Sequence, residues 1–212
     1  MRLSLQDFSG GPKIKKILLV FFVFALLLSA FYALDFKISQ SETHVNSGLS
    51  AYSSGSPELN SSGRIYLYTE GEDALSVNLK EKLKEDLEAE GMEVIAINSI
   101  EEKYGSQALL VNVSRDKWLY TPFYASSNLN LAFFYTSTGE DTKYFEQFKN
   151  GNESVIFVND GSGKGKMLMD GEIVVQDSTK GIISLKAYRK HLAEEAAGKT
   201  VEQLLQHINK LP

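Results

Sequence analysis

Apolar and polar positions fall into three regimes along this chain: one continuous apolar run, a serine-rich polar stretch, and then short periodic segments. The run Ile17–Leu34, ILLVFFVFALLLSAFYAL, carries no charge and has no polar face. A helix of that length reaches about 27 Å, close to the hydrocarbon thickness of a bilayer. Lys13, Lys15 and Lys16 stand directly before it, and the next basic residues after it are Lys37 and Arg64. Basic residues on a short flank stay in the cytoplasm. The pattern therefore predicts a cytoplasmic flank over 1–16, a transmembrane signal-anchor over 17–34, and everything beyond outside the cell. A cleaved signal peptide would need small residues one and three positions before the cut. Cutting after Ala33 or Ala30 puts Phe31 or Leu28 at the third position, so the anchor is read as uncleaved.

Residues 35–63 are rich in serine, with Gly48, Gly55, Pro57 and Gly63 interspersed. Such a composition buries too little apolar area to offset its ordering entropy, and predicts a flexible stalk. The domain is expected over 64–212. Ile65–Tyr68 reads as a strand. Leu75, Leu79, Leu83 and Leu87 recur at helical spacing over 74–90, and Gly91 reads as the stop. Met92–Ile97 reads as a second strand, so the domain opens as a parallel βαβ unit.

Ala108–Val113 reads as a further strand. An aromatic hairpin follows, running Trp118–Tyr124, turning at Ser126-Ser127-Asn128 and returning over Leu129–Tyr135. A short helix is expected near Lys143–Phe148 and a strand at Val155–Val158. Asp170-Gly171, between Met167–Met169 and Ile173–Val175, reads as a hairpin turn. Two C-terminal helices follow, one with Ile182, Leu185, Tyr188 and Leu192 on a face. The other opens at a capping box, Thr200–Gln203. The predicted class is α+β: an anchor helix, a stalk, a βαβ unit, an antiparallel meander and C-terminal helices. This order is broadly similar to the small sheet-and-helix domains of bacterial envelope assembly lipoproteins, a likeness of architecture that implies no activity.

Charge and composition narrow the partners. The chain has a formal net charge of −5, and its basic flank lies on the other side of the membrane, so the outer part is more acidic still. That field disfavours nucleic acid and anionic lipid. There is no cysteine, which excludes thiol catalysis, iron–sulfur clusters, cysteine zinc sites and an acylated lipoprotein. No cofactor or metal is expected. Partners are the lipid bilayer through residues 17–34 and an envelope protein or glycan. Asn60, Asn112 and Asn152 begin Asn-x-Ser sequons on the outer side and are candidate N-glycosylation sites.

Little of the sequence points to catalysis. Asp160–Lys166 resembles a phosphate loop but lacks the first glycine, and Met167 stands where the hydroxyl should be. Asp177, Ser178 and Thr179 are read as a polar segment between a strand and a helix. There they either cap the helix or form a polar ligand site. Tyr120, Tyr124 and Tyr135 are the candidate partner surface within an otherwise packing cluster of aromatics. The expected function is a non-catalytic binding or envelope-complex module on the outer face of a membrane. An extracytoplasmic hydrolase using carboxylates or Ser178, with His191 and Asp177, is the first alternative. An accessory subunit of a membrane complex is the second.

Overall fold

The computed structural model describes residues 12–54, 63–149 and 165–208. Helix α1 (Pro12–Ala33) contains the apolar run and is long and apolar enough to cross a membrane. A signal sequence near an N-terminus has the same length and composition.

The remainder is mixed α+β, built on one six-stranded sheet. In chain order come β1 (Lys37–Ser54), β2 (Arg64–Thr69), α2 (Ala74–Ala89), β3 (Glu93–Ile97), β4 (Gln107–Thr121) and β5 (Tyr124–Thr136). Then follow α3 (Tyr144–Lys149), β6 (Lys166–Ile183) and α4 (Leu185–Ile208). The strands lie in the order β1-β6-β5-β4-β2-β3. β2 runs parallel to β3 and β4, and the β4, β5, β6 and β1 neighbours are antiparallel.

Helices α2 and α4 cover one face of the sheet. Leu75, Leu79, Leu83 and Leu87 of α2 are buried there, as are Tyr188, Leu192, Ala196 and Leu204 of α4. They meet a floor of alternate strand residues, among them Leu67, Leu109, Phe133, Ile173 and Val175. On the other face Phe145 of α3 packs in a small cluster with Leu110, Phe134 and Leu168. Among the described residues the rest of that face carries no helix.

Asp73 starts α2 by accepting hydrogen bonds from the backbone N–H groups of Leu75 and Ser76, at 2.8 and 3.0 Å. Its second oxygen takes a bond from Arg115. Partial burial opposes ionisation, but these bonds overcome it and hold the carboxyl below its usual range. Asp73→Ala should cost about 1 kcal/mol of stability, read as a lowered urea midpoint with an unchanged slope. A midpoint equal to that of the parent would show that the cap contributes nothing.

Four expectations need correction. Lys37–Ser54 is not a flexible stalk. It is the edge strand β1, paired with β6 along its whole length from Lys37↔Ile183 to Ser54↔Lys166. Ser39, Ser41, Thr43 and Val45 alternate with Gln40, Glu42, His44 and Asn46, and the first set faces the core side. Period-two patterning prevails over serine content once β6 pairs with the strand and α4 covers one of its faces.

Asp170-Gly171 is not a turn either. Both lie inside β6. Gly171 is required by space: a Cβ there would sit 2.6 Å from two ring carbons of Phe133 and 2.9 Å from the Gly48 carbonyl oxygen. The β4–β5 turn is at Pro122-Phe123, not at Ser126–Asn128. Thr121 fastens it, its hydroxyl donating to the Tyr124 carbonyl and accepting from the Tyr124 N–H.

The C-terminus, finally, is one continuous helix. Thr200 lies within it and bonds the Ala196 carbonyl at 2.7 Å instead of capping a new helix. The strand expected at Val155–Val158 and the loop from Asp160 to Lys164 lie outside the described residues. So do Asn60, Asn152 and most of the N-terminal flank.

Candidate functional site

The polar segment at 177–179 lies near the end of β6, and strand geometry decides what it can do. Successive side chains leave a strand on opposite faces. Asp177 and Thr179 point toward α4 and are buried, and Ser178 points to the helix-free face. The three residues therefore do not converge, and none caps α4. That role belongs to Ser184, whose hydroxyl accepts from the Ala187 N–H at 3.1 Å.

On the α4 side Asp177 is the centre of a closed cluster. One carboxylate oxygen accepts from the Thr43 hydroxyl at 2.7 Å and lies 3.1 Å from His191 Nε2. The other accepts from Thr179 at 2.9 Å. Ser41 and Thr179 share a further hydroxyl contact at 2.8 Å. Burial opposes ionisation of Asp177, but the bonds from His191, Thr43 and Thr179 outweigh it and draw its pKa below the usual carboxylate range. The Tyr188 hydroxyl is buried nearby without a partner of good geometry. Burial first, and then the Asp177 charge, push its pKa up.

This cluster is chemically closed. A hydrolytic triad needs the acid on one imidazole nitrogen and the nucleophile on the other. Here Thr43 and Asp177 both meet Nε2, at 3.2 and 3.1 Å, and Nδ1 faces Glu195 at 3.9 Å. Ser178 lies across the sheet from His191. The Ser178–His191–Asp177 arrangement is thus not assembled, and the cluster ties β1, β6 and α4 together. Among the described residues no group of His, Asp and Glu is placed to hold a metal ion.

The helix-free face is different. Antiparallel register sets Glu42, Ser178 and Ser126 in one row across β1, β6 and β5. The next row holds His44, Gln176 and Asn128, with Lys117 beside them on β4. These side chains line a shallow cavity of about 330 Å³. Tyr124 stands beside Ser178 and Ser126, whose hydrogen bonds to its hydroxyl draw its pKa below the ordinary value. The Asn128 amide oxygen is buried in the wall of this cavity without a partner.

Of the three tyrosines expected at a surface, only Tyr124 reaches one. Tyr120 is half-buried, stacks on Tyr188 and donates to the Ile183 carbonyl at 2.9 Å. Tyr135 is fully buried and donates to Gln107 at 2.6 Å, and burial pushes its pKa up. Asn112 lies mid-strand in β4, half-buried opposite Ala132, unlike the surface loops where glycans attach. Thr43, Glu42 and His44 were not anticipated, because a stalk reading gave them no face. The alternation along 39–46 is the signal that marks them.

No protein-family model matches the chain, and no curated protein does. Among solved structures it is similar to a PelC dodecamer from Paraburkholderia phytofirmans, at 11% identity with a TM-score of 0.33. The match covers 70% of this chain and 94% of that one. A likeness at this level carries no statement about function.

Proposed function

We propose that this chain is a membrane-anchored, extracytoplasmic binding module that does no chemistry of its own. In this reading α1 is an uncleaved signal-anchor with its N-terminus inside, and the sheet domain stands outside the cell. The observation that carries it is the helix-free sheet face around Gln176, Asn128 and Ser178. Its side chains are amides and hydroxyls with one carboxylate, one imidazole and one ammonium at the rim. Such a surface has many hydrogen-bond donors and acceptors and little net charge. It suits a hydroxyl-rich glycan or an extended peptide of the envelope better than an ionic ligand.

A benzophenone side chain placed at Gln176 of the full chain in cells tests this. The expected result is a discrete photo-adduct at 176 and none at Glu194, an exposed position on the α4 side of the sheet. Asn128→Ala should reduce that adduct about fivefold or more, the loss of roughly one hydrogen bond. Equal labelling at 176 and 194, or an adduct indifferent to Asn128, would overturn the proposal.

A further inference from the structure

The end of the sheet nearest α1 carries a cluster of exposed apolar side chains that the polar face does not explain. Only Leu34, Asp35 and Phe36 separate the end of α1 from the start of β1. Phe31 in the last turns of α1 packs edge-on against Phe36, with ring centroids 6.1 Å apart. Phe36 is fixed to the domain in turn, because its N–H reaches the Ser184 hydroxyl and its carbonyl accepts from the Ser184 N–H.

Ile38 and Ile182 are register partners on the helix-free face. Tyr124, opposite Lys180, and Leu119, opposite Ser126, lie on the same face. Phe123 stands at the tip of the β4–β5 turn, which is held to this corner by bonds from the Gly181 and Ile183 N–H groups to the Phe123 and Pro122 carbonyls. Phe123 is 68% exposed and Ile38 66%. Large apolar side chains scattered singly over a surface need no explanation, but a contiguous group does.

We infer that this corner is a second membrane contact, in which Phe36, Ile38, Leu119, Phe123, Tyr124 and Ile182 lie in the interfacial layer of the bilayer that α1 crosses. The inference rests on the reading of α1 as a membrane span. Three extended residues reach about 10 Å, so Phe36 and the start of β1 cannot stand farther than that from the end of the helix, and the rest of the cluster follows across three strand spacings of about 5 Å each. Interfacial segments bury apolar and aromatic side chains about 5–10 Å into the headgroup and acyl boundary. Aromatic rings with a polar edge, such as Tyr124, favour that layer. The contact is apolar and does not require anionic lipid, in keeping with the acidic outer domain. It holds the domain against the membrane with a fixed tilt, at the cluster as well as at the anchor.

The absence of native cysteine makes the test direct. Single cysteines at Phe123, Leu119, Ala25 and Ser50 of the full chain would each carry an NBD fluorophore. The chains are reconstituted in phosphatidylcholine vesicles, with and without lipid bearing a nitroxide high on its acyl chain. Phe123 and Leu119 are exposed, so labelling them leaves the core untouched. Ser50 reports the far end of β1, and Ala25 reports the anchor. The expected result is quenching of about twofold or more at 123, 119 and 25, and none at 50. Quenching at 25 without quenching at 119 and 123 would overturn the second contact and leave the anchor intact. No quenching at 25 would instead overturn the anchor reading on which it rests. Self-quenching between labelled copies at 123, without lipid quenching, would assign the patch to a second copy of this chain and overturn the membrane contact.

Discussion

Replacing Asp177 by alanine should destabilise the domain by about 3 kcal/mol, because it strands several buried donors at once. The Asp177 side chain is fully buried. Thr43, Thr179 and His191 all direct hydrogen bonds at it. Without the carboxylate these groups keep their desolvation cost and lose their acceptor. Asp177→Asn preserves the volume and one acceptor oxygen, and should cost less. The two variants also differ from the parent in acid. The folded pKa of Asp177 lies below its unfolded value, so its contribution is present above the ordinary carboxylate range near pH 4. That contribution is lost as pH falls through the folded pKa. The parent should therefore lose stability on acidification more steeply than Asp177→Asn. Urea midpoints between neutral and acid pH measure both effects. A loss under about 1 kcal/mol on alanine substitution would mean that water replaces the carboxylate.

The second large effect concerns space. Gly171→Ala should cost about 2–3 kcal/mol, since the new methyl has nowhere to go. The obstructing atoms are ring carbons of Phe133 at 2.6 Å, in a side chain that is itself fully buried, and the Gly48 carbonyl oxygen at 2.9 Å. The φ of Gly171 is not positive, so backbone strain plays no part. Phe133→Leu removes the ring atoms and should recover part of the loss when combined with Gly171→Ala. A double-mutant cycle reads this as a coupling free energy. Strict additivity of the two losses would show that the glycine is needed for some reason other than the ring.

The same two residues explain where the sequence could and could not be read. The α2 leucines, the parallel β2–α2–β3 start and the apolar α1 were legible because each is a local pattern of one period. Gly171 misled because Asp-Gly is a hairpin signal, and its real cause is a phenylalanine on another strand. Asp177–Thr179 misled in a similar way. Taken as a segment between a strand and a helix, it suggested a cap or a ligand site. As the end of a strand paired with β1, its residues divide between two faces. The serine-rich stretch had the composition of a coil, and only its partnership with β6 gives its alternation meaning. Long-range pairing decided each of these, and a single chain's local pattern does not contain it. The candidate surface at His44, Gln176 and Asn128 was illegible for the same reason, since it exists only where three strands lie side by side.

The placement of β1 also governs the order in which the domain can form. β1 follows α1 directly and, among the described strands, pairs with β6 alone. The contact that seals its start, Phe36 with Ser184, spans 148 residues of chain. The β2–α2–β3 unit and the β4–β5 hairpin close over short distances and can form early. β1 must wait until nearly the whole domain has been made, with its backbone groups unpaired in the meantime. Closing so long a loop is slow, and unpaired strand edges are sticky. β1 therefore gains its partner only when β6 is in place, the strand that joins the first segment of the domain to the rest.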